Sequence, residues 1–360
     1  MAQSVLIIGA GIIGASLAFH LSRQGASVTV LESATPASAA SGRSFGWINA
    51  SFYENPAHHH LRVAAMAAHH RLAALLPDHA PNWQGTLWFE EEGAGFDQKA
   101  AELAALGYAA TPLTSAEIAK LEPHLANPPA QALHFPTEGA VDPAALTRAL
   151  LAASGARVLS GIAAKSLIER NGMFAGVRTA IGPFGADHTV LAAGVAVPRL
   201  LESFGISLNM LPRPGLLLRT NPLGFHLNHI LVTPHQEIRQ TPDGCLLAPC
   251  AANHQADNAE TIADRPAKIQ ATLANLRALF GPEITEAETV LGHRPYPADG
   301  LPALGLVAEG LSIAVMHSGV TLALFAAEAL TSEIMGQGIH PLWAKYAPER
   351  LLHRRSWRNE

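Results

Sequence analysis

The sequence predicts an α/β chain in which a parallel sheet shaped for a dinucleotide is joined to an α+β portion built on an antiparallel sheet. Three stretches carry that prediction. Residues 5–8 are an apolar, β-branched run suited to a strand buried on both faces, and the run breaks at Gly9-Ala10-Gly11-Ile12-Ile13-Gly14. Residues 216–247 read instead as short alternating runs broken by proline and glycine, the pattern of an antiparallel sheet. Near the other end, the apolar run 311–315 leads into Met316-His317-Ser318-Gly319-Val320-Thr321, a second strand-to-helix turn some three hundred residues after the first.

The first stretch is the most specific. Gly9 permits a tight turn, Gly11 lets the backbone approach a pyrophosphate, and Gly14 lets the next helix pack closely on the strand, so that free N–H groups of the helix start face the phosphates. The helix runs to about Gly25, and a second apolar strand, 27–31, ends in Glu32. A carboxylate at that point accepts hydrogen bonds from both ribose hydroxyls of an adenosine and repels the 2′-phosphate of NADP. Residues 36–51 follow as a small, glycine-punctuated loop suited to wrapping a ligand. In it Ser41, Gly42, Arg43 and Ser44 offer N–H groups, hydroxyls and one cation to a pyrophosphate and a ring edge, with Phe45, Gly46 and Trp47 packing near the ring.

Helical spacing from 57 to 76 places His58, His59, His60, His69 and His70 on one helix, where the expectation is solvated side chains. They offer no i, i+4 pair of the kind a metal site needs. Pro77 and Pro81 end that helix, and 85–138 mixes strand-like runs (85–89, 131–135) with helical ones (98–106, 115–121) as an inserted lobe. Asp142-Pro143 reads as an N-cap followed by proline in the first helical turn. After Gly155 come a strand at 157–159, a hairpin about Asn171-Gly172, and a strand at 188–191 that stops at Ala192-Ala193-Gly194, small residues that let a ligand approach. A helix at 264–280 is expected to show Lys268 and Arg277 on an outer face. The proline-rich loop 292–302 holds Arg294. The last twenty residues, with Arg350, Arg354, Arg355 and Arg358, read as an exposed tail.

Composition narrows the functional classes. The chain has 360 residues, 49% hydrophobic and 15% charged, with a net charge of −5, so two domains are expected and nucleic-acid binding has no electrostatic support. No run of about 18 apolar residues exists, and the glycine-interrupted N-terminus is expected to form a short strand and not a signal segment. Two cysteines, Cys245 and Cys250, are too few for a disulfide framework or a four-cysteine zinc site, so the expected compartment is a reducing cytoplasm and no metal is expected.

Taken together, GAGIIGAS with Glu32, SGRSFGW, EGAVDPAAL, VLAAG, RPYPADGLPALG and MHSGVTLA resemble the D-amino-acid oxidase and glycine/sarcosine oxidase superfamily of FAD-dependent oxidoreductases across nearly the whole chain. The resemblance implies a Rossmann-like FAD-binding domain (1–84, 139–215 and 290–360) and a discontinuous α+β substrate-binding domain (85–138 and 216–289). It implies FAD held at Gly9, Gly11, Ile12, Ile13, Gly14, Glu32 and Ser33, then at Ser41–Gly46, at the backbone near Ala164 and Lys165, and at Ala193 and Gly194. Arg294 and the turn His317, Ser318, Gly319, Val320 and Thr321 would border the flavin ring, with Arg294 and His317 as the catalytic pair. Arg294 matches the arginine that grips the substrate carboxylate in glycine oxidases; the alternative is a structural pair with Asp299. Trp47, Asn49, His235 and Arg239 are the remaining substrate-side candidates.

The cysteine that tethers flavin in monomeric sarcosine oxidases falls near Gly292 here, and the tryptophan-histidine attachment segment of dimethylglycine dehydrogenases is absent, so FAD is expected to be non-covalent. The lysine those sarcosine oxidases use toward oxygen has no match, which leaves the electron acceptor open. The implied reaction is oxidation of a small amino acid or N-substituted amino acid by hydride transfer to flavin N5. Two alternatives stand beside it: an FAD-dependent 2-hydroxy-acid dehydrogenase, and a flavoprotein subunit of a hetero-oligomeric amino-acid dehydrogenase. The expected partners are accordingly an amino-acid-like small molecule and either copies of this chain or a partner subunit.

Overall fold

The strand Ser4–Ile8 lies inside a six-stranded sheet because both of its faces are apolar: Val5 and Ile7 join one buried cluster, Leu6 and Ile8 another. A computed structural model describes residues 2–250 and 261–354. Across the sheet the order is Ala303–Ala308, Leu311–Val315, His188–Leu191, Ser4–Ile8, Ser27–Glu32 and Arg157–Ser160. All neighbours run parallel except the edge strand Ala303–Ala308, which turns back antiparallel on Leu311–Val315. The helices Ile12–Arg23, Pro143–Ser154, Gly319–Ile334 and Pro56–Ala73 cover one face. A three-stranded antiparallel sheet (Ser166–Arg170, Met173–Thr179, Gly182–Gly185) and the short helix Val197–Glu202 cover the other. The chain therefore has the Rossmann-like α/β fold expected, with the hairpin at Asn171-Gly172 in place.

Local signals explain where the elements begin. Asp142 accepts from the N–H groups of Ala144 at 2.8 Å and Ala145 at 3.0 Å, with Pro143 in the first turn behind it. The helix Gly319–Ile334 starts after Ser318, a non-glycine residue at φ +55°.

The second sheet has eight strands, in the order Glu286–His293, Pro214–Thr220, Leu246–Pro249, Glu237–Gln240, Ile230–Val232, Thr86–Trp88, Gln131–Phe135 and Thr111–Thr114. It is antiparallel apart from one parallel pair, Ile230–Val232 with Thr86–Trp88, formed where the two sequence-distant halves of the sheet meet. The helix Arg265–Phe280 packs on one face through Leu273, Leu276 and Phe280.

Two expectations are corrected. His58, His59 and His69 are buried, not solvated, because their helix is packed on the helix Gly319–Ile334 on one side and the 47–53 segment on another; His60 and His70 are exposed. The C-terminal stretch is no tail as far as it is described. Leu352–Arg354 pairs with Ile206–Leu208, and Arg350 bonds Asp299 at 2.7 Å and the carbonyls of Leu301 and Pro302. Arg355 and Arg358 lie outside the described residues.

Candidate active site

The glycine turn shows why each glycine is needed. Gly9 has φ +107°, and a Cβ there would lie 2.6 Å from the carbonyl oxygen of Ala192, on the adjacent parallel strand. A Cβ on Gly14 would lie 1.9 Å from the carbonyl oxygen of Gly9, so close packing of helix on turn requires glycine. At Gly11 the nearest obstacle is only the Ser41 hydroxyl, at 3.1 Å, which leaves the space beside Gly11 to the cavity.

Glu32 is oriented by the turn itself. Its Oε2 accepts from the Ala10 N–H at 2.9 Å, and its Oε1 from the Ala34 N–H at 2.9 Å and the Ser33 hydroxyl at 3.1 Å. The Ser41 hydroxyl accepts from the Ile12 N–H at 2.9 Å, tying the 36–51 loop to the helix start. Arg43 donates to the Leu291 carbonyl at 2.9 Å.

One cavity of about 530 Å³ runs between the two sheets. Gly9, Gly11, Ile12, Ile13, Glu32 and Ser33 line one end of it. Ser41, Arg43, Ser44, Phe45, Gly46, Ala164, Ala193 and Gly194 line its walls, and Arg294 with His317, Ser318, Gly319, Val320 and Thr321 line it as well. Trp47 and Asn49 also face it. Five candidates do not. Gly42 is packed away, a Cβ there meeting the Ala37 carbonyl at 2.2 Å; Gly14 lies under the turn; and the Lys165 N–H is spent on the Arg178 carbonyl at 2.8 Å. His235 sits exposed in the turn between two strands of the second sheet.

Arg239 is corrected most sharply. It is buried, it donates to the carbonyls of Phe45 and Val141, and its guanidinium sits 5.6 Å from the Phe45 ring centre. It latches the 36–51 loop to the second sheet and lines no part of the cavity. Burial lowers its pKa to about 10, leaving it a cation at neutral pH.

Arg294 does line the cavity. Its Nε donates to the Arg213 carbonyl at 3.2 Å and its Nη2 to the Pro214 carbonyl at 3.1 Å, so two carbonyls hold the guanidinium flat against the strand Pro214–Thr220. The alternative pair with Asp299 does not form, since Asp299 is bonded to Arg350. The His317 ring lies 5.0 Å from that of Tyr296, next to the start of the helix Gly319–Ile334. His69 donates from Nε2 to the carbonyls of Val320 (3.0 Å) and Thr321 (3.2 Å), pinning that helix start to the helix Pro56–Ala73. Thr321 closes the same corner, its hydroxyl donating to the Trp47 carbonyl at 3.2 Å.

The sequence reading passed over Arg62 and Glu237, and put Lys268 on an outer face; all three line the cavity. Arg62 is buried beneath Asn49, donating to its carbonyl at 3.0 Å and its Oδ1 at 2.6 Å, which turns the Asn49 amide so that its NH₂ group points away from the arginine. Burial lowers the pKa of Arg62 to about 10, opposed by the nearby Glu138 carboxylate. Glu138, itself fully buried, accepts from Trp47 Nε1, the Ser51 N–H and the Tyr108 hydroxyl, and burial raises its pKa. Among the described residues no three His, Cys, Asp or Glu side chains are grouped to hold a metal ion.

The profile of the family described as FAD dependent oxidoreductase matches residues 4–333. The chain belongs to that family. It is 26% identical, over 97% of its own length and all of the relative's, to an uncharacterized oxidoreductase of Bacillus subtilis. It is 26% identical over 96% of its length to the bifunctional protein ThiO/ThiG of Trichormus variabilis, of which it spans 55%. It is 27% identical over 87% of both chains to the glycine oxidase of Geobacillus kaustophilus. The crystal structure of that glycine oxidase superposes with a TM-score of 0.84 over 97% of this chain and 99% of the other, at 23% identity. As a member of that family the protein is an FAD-dependent oxidoreductase.

The cavity fits the cofactor. A carboxylate fixed by the turn stands at one end, the space beside Gly11 is one that a Cβ would enter, and a helix N-terminus borders the same cavity. Among the described residues no helix is long and apolar enough to cross a membrane.

Proposed function

We propose that the protein oxidises a small amino acid or N-substituted amino acid at the carbon bearing the amine, with Arg294 as the carboxylate anchor. The observation that carries this reading is the meeting of Arg294 with the turn 317–321 in the cavity that Glu32 enters from the other end. On this reading residues 1–84, 139–215 and 290–360 hold FAD, residues 85–138 and 216–289 close over the substrate, and the residues of the cavity wall named above are the cofactor contacts. FAD, when bound, supplies a two-electron acceptor. Everything else falls to the chain. Two backbone carbonyls hold the Arg294 guanidinium in one plane, and a planar fork fixes a carboxylate bidentately, which orients the Cα–H in a way a lysine point charge would not. Once the bound ammonium has given up a proton, the lone pair assists departure of the hydride, and the resulting imine hydrolyses in water. The start of the helix Gly319–Ile334, held by His69, presents N–H donors and the positive end of a dipole to the developing charge.

Gly292, where a tethering cysteine would stand, packs a Cβ position 3.3 Å from Arg43, which supports a non-covalent cofactor. Cys245 and Cys250 are both free thiols, in keeping with the proposed cytoplasmic location. The test begins with the absorption spectrum of the purified protein and turnover against amino-acid and 2-hydroxy-acid panels, the lone chain being assayed to separate it from a subunit that needs a partner. Arg294→Lys should retain flavin and lose about a hundredfold in kcat/KM, because the carboxylate is desolvated without its fork. Near-native efficiency in that variant would show that another group holds the carboxylate.

A further inference from the structure

We propose that Glu237 is the acidic half of an amino-acid clamp whose basic half is Arg294, with Glu237 taking the substrate's amino group while Arg294 takes its carboxylate. The proposal rests on the reading of Arg294 given above, and it names what that reading leaves open, the group that recognises the amine. Both side chains line the one cavity.

They reach it from different strands of the second sheet. Glu237 opens the strand Glu237–Gln240, where alternate side chains share a face. Arg239, on that same face, reaches the carbonyls of Phe45 and Val141, so the face is turned toward the loop the family uses around its flavin. Arg294 follows the strand Glu286–His293 and lies on Gly215, where a Cβ would come within 3.6 Å of its Nε. Between the two run Pro214–Thr220 and Leu246–Pro249, whose Leu217 and Pro249 are direct partners and both line the cavity. A cation and an anion thus flank an apolar floor.

That arrangement suits one ligand chemistry. Each charge of an amino acid meets an opposite charge in a space poor in water, where a charge-assisted hydrogen bond is roughly twice as strong as a neutral one. A 2-hydroxy acid would still give Arg294 its carboxylate but would offer Glu237 a neutral hydroxyl in place of the ammonium. The clamp therefore favours the amine substrate over the hydroxy acid that shares its skeleton.

The experiment uses the FAD-loaded protein and two isosteric ligands, 2-aminoisobutyrate and pivalate, which differ by an amino group in place of a methyl. Neither carries a hydrogen on Cα, so neither is oxidised, and calorimetry reads affinity alone. The wild type should prefer 2-aminoisobutyrate by about thirtyfold. Glu237→Gln should bring the two affinities to within about threefold, with pivalate binding unchanged or tighter, and Glu237→Asp should recover part of the preference. A wild type without preference, or a Glu237→Gln protein that keeps it, overturns the proposal. Arg294→Lys tests the underlying reading separately: it should weaken both ligands alike. If it weakens neither, the carboxylate assignment fails while the amine preference is still read from the Glu237 variants.

Discussion

Gly14→Ala adds a single methyl group at the point where the first helix leaves the glycine turn. Its Cβ would lie 1.9 Å from the Gly9 carbonyl oxygen, and real contacts of that kind are essentially never below 3.0 Å, so helix and turn must separate by about 1 Å. Neither has room to move. Ala15, Leu17 and Ala18 of the helix are completely buried among the helices Pro143–Ser154 and Gly319–Ile334, and the turn is pressed against Ala192. Overpacking of this kind costs about 3 kcal/mol, which for a chain of this size lowers Tm by roughly 5 °C. Displacing the turn also moves the Ala10 N–H that positions Glu32 and the Ile12 N–H held by Ser41, so flavin occupancy should fall with stability. Thermal melting together with the visible absorbance per mole of protein measures both. Gly11→Ala is the control for Tm alone, because in the protein its Cβ meets only the Ser41 hydroxyl at 3.1 Å, a side chain that can rotate, whereas its methyl would stand in the space left for the pyrophosphate. A Gly14→Ala protein with native Tm and full flavin content would refute the account of the turn.

Two further expectations concern stability. Burial lowers the pKa of His69 to about 4, of His188 to about 4 and of His58 to about 3, so the native state binds fewer protons than the unfolded chain between those values and 6.5. Their contribution is complete above pH 6.5 and is lost as pH falls toward 4, by about 3 kcal/mol for His69 alone; urea midpoints measured from pH 7 to 4 should drop, and His69→Gln should flatten part of the slope. Arg350→Met removes the bonds to Asp299, Leu301 and Pro302, which are partly exposed, so it should cost only about 1 kcal/mol. It should still raise KM by loosening the loop that carries Arg294, and unchanged KM in steady-state assays would show the loop to be held elsewhere.

The parts of the site legible in the sequence are those whose geometry is set by covalently near neighbours. A strand, a glycine turn and a helix define their own spatial relation within thirty residues, so Gly9, Gly14 and Glu32 could be placed from spacing alone. The strand-to-helix turn at Ser318 to Thr321 was legible for the same reason, while its place beside the cofactor was what the family resemblance implied. Glu237 and Arg239 share one face of their strand, but Arg239 meets the loop backbone and Glu237 the cavity, and pattern alone says nothing about which strand end lies opposite a loop. Arg62 was hidden because its helix is buried on more than one side, so polar residues that read as solvated are packed inside. His58, His59 and His69 were misread on the same ground. Lys268 carries a long aliphatic stem, and a helix that looks outward in sequence can still put the tip of such a side chain into a cavity.

The six-stranded sheet is assembled from segments at 4–8, 27–32, 157–160, 188–191, 303–308 and 311–315, and its central pairing joins strands from distant parts of the chain. The first strand is flanked by 27–32, available at once, and by 188–191, which leaves the ribosome much later. At about 5–20 residues per second, roughly 15–60 s separate synthesis of the first glycine turn from that of His317. During that interval the nascent chain has a phosphate-binding turn with no opposite wall, and the strand Ser4–Ile8 keeps one apolar edge unpaired. Cofactor capture is thereby a late event in the life of each molecule, and the same strand pairing that completes the sheet is what first gives a flavin somewhere to lie.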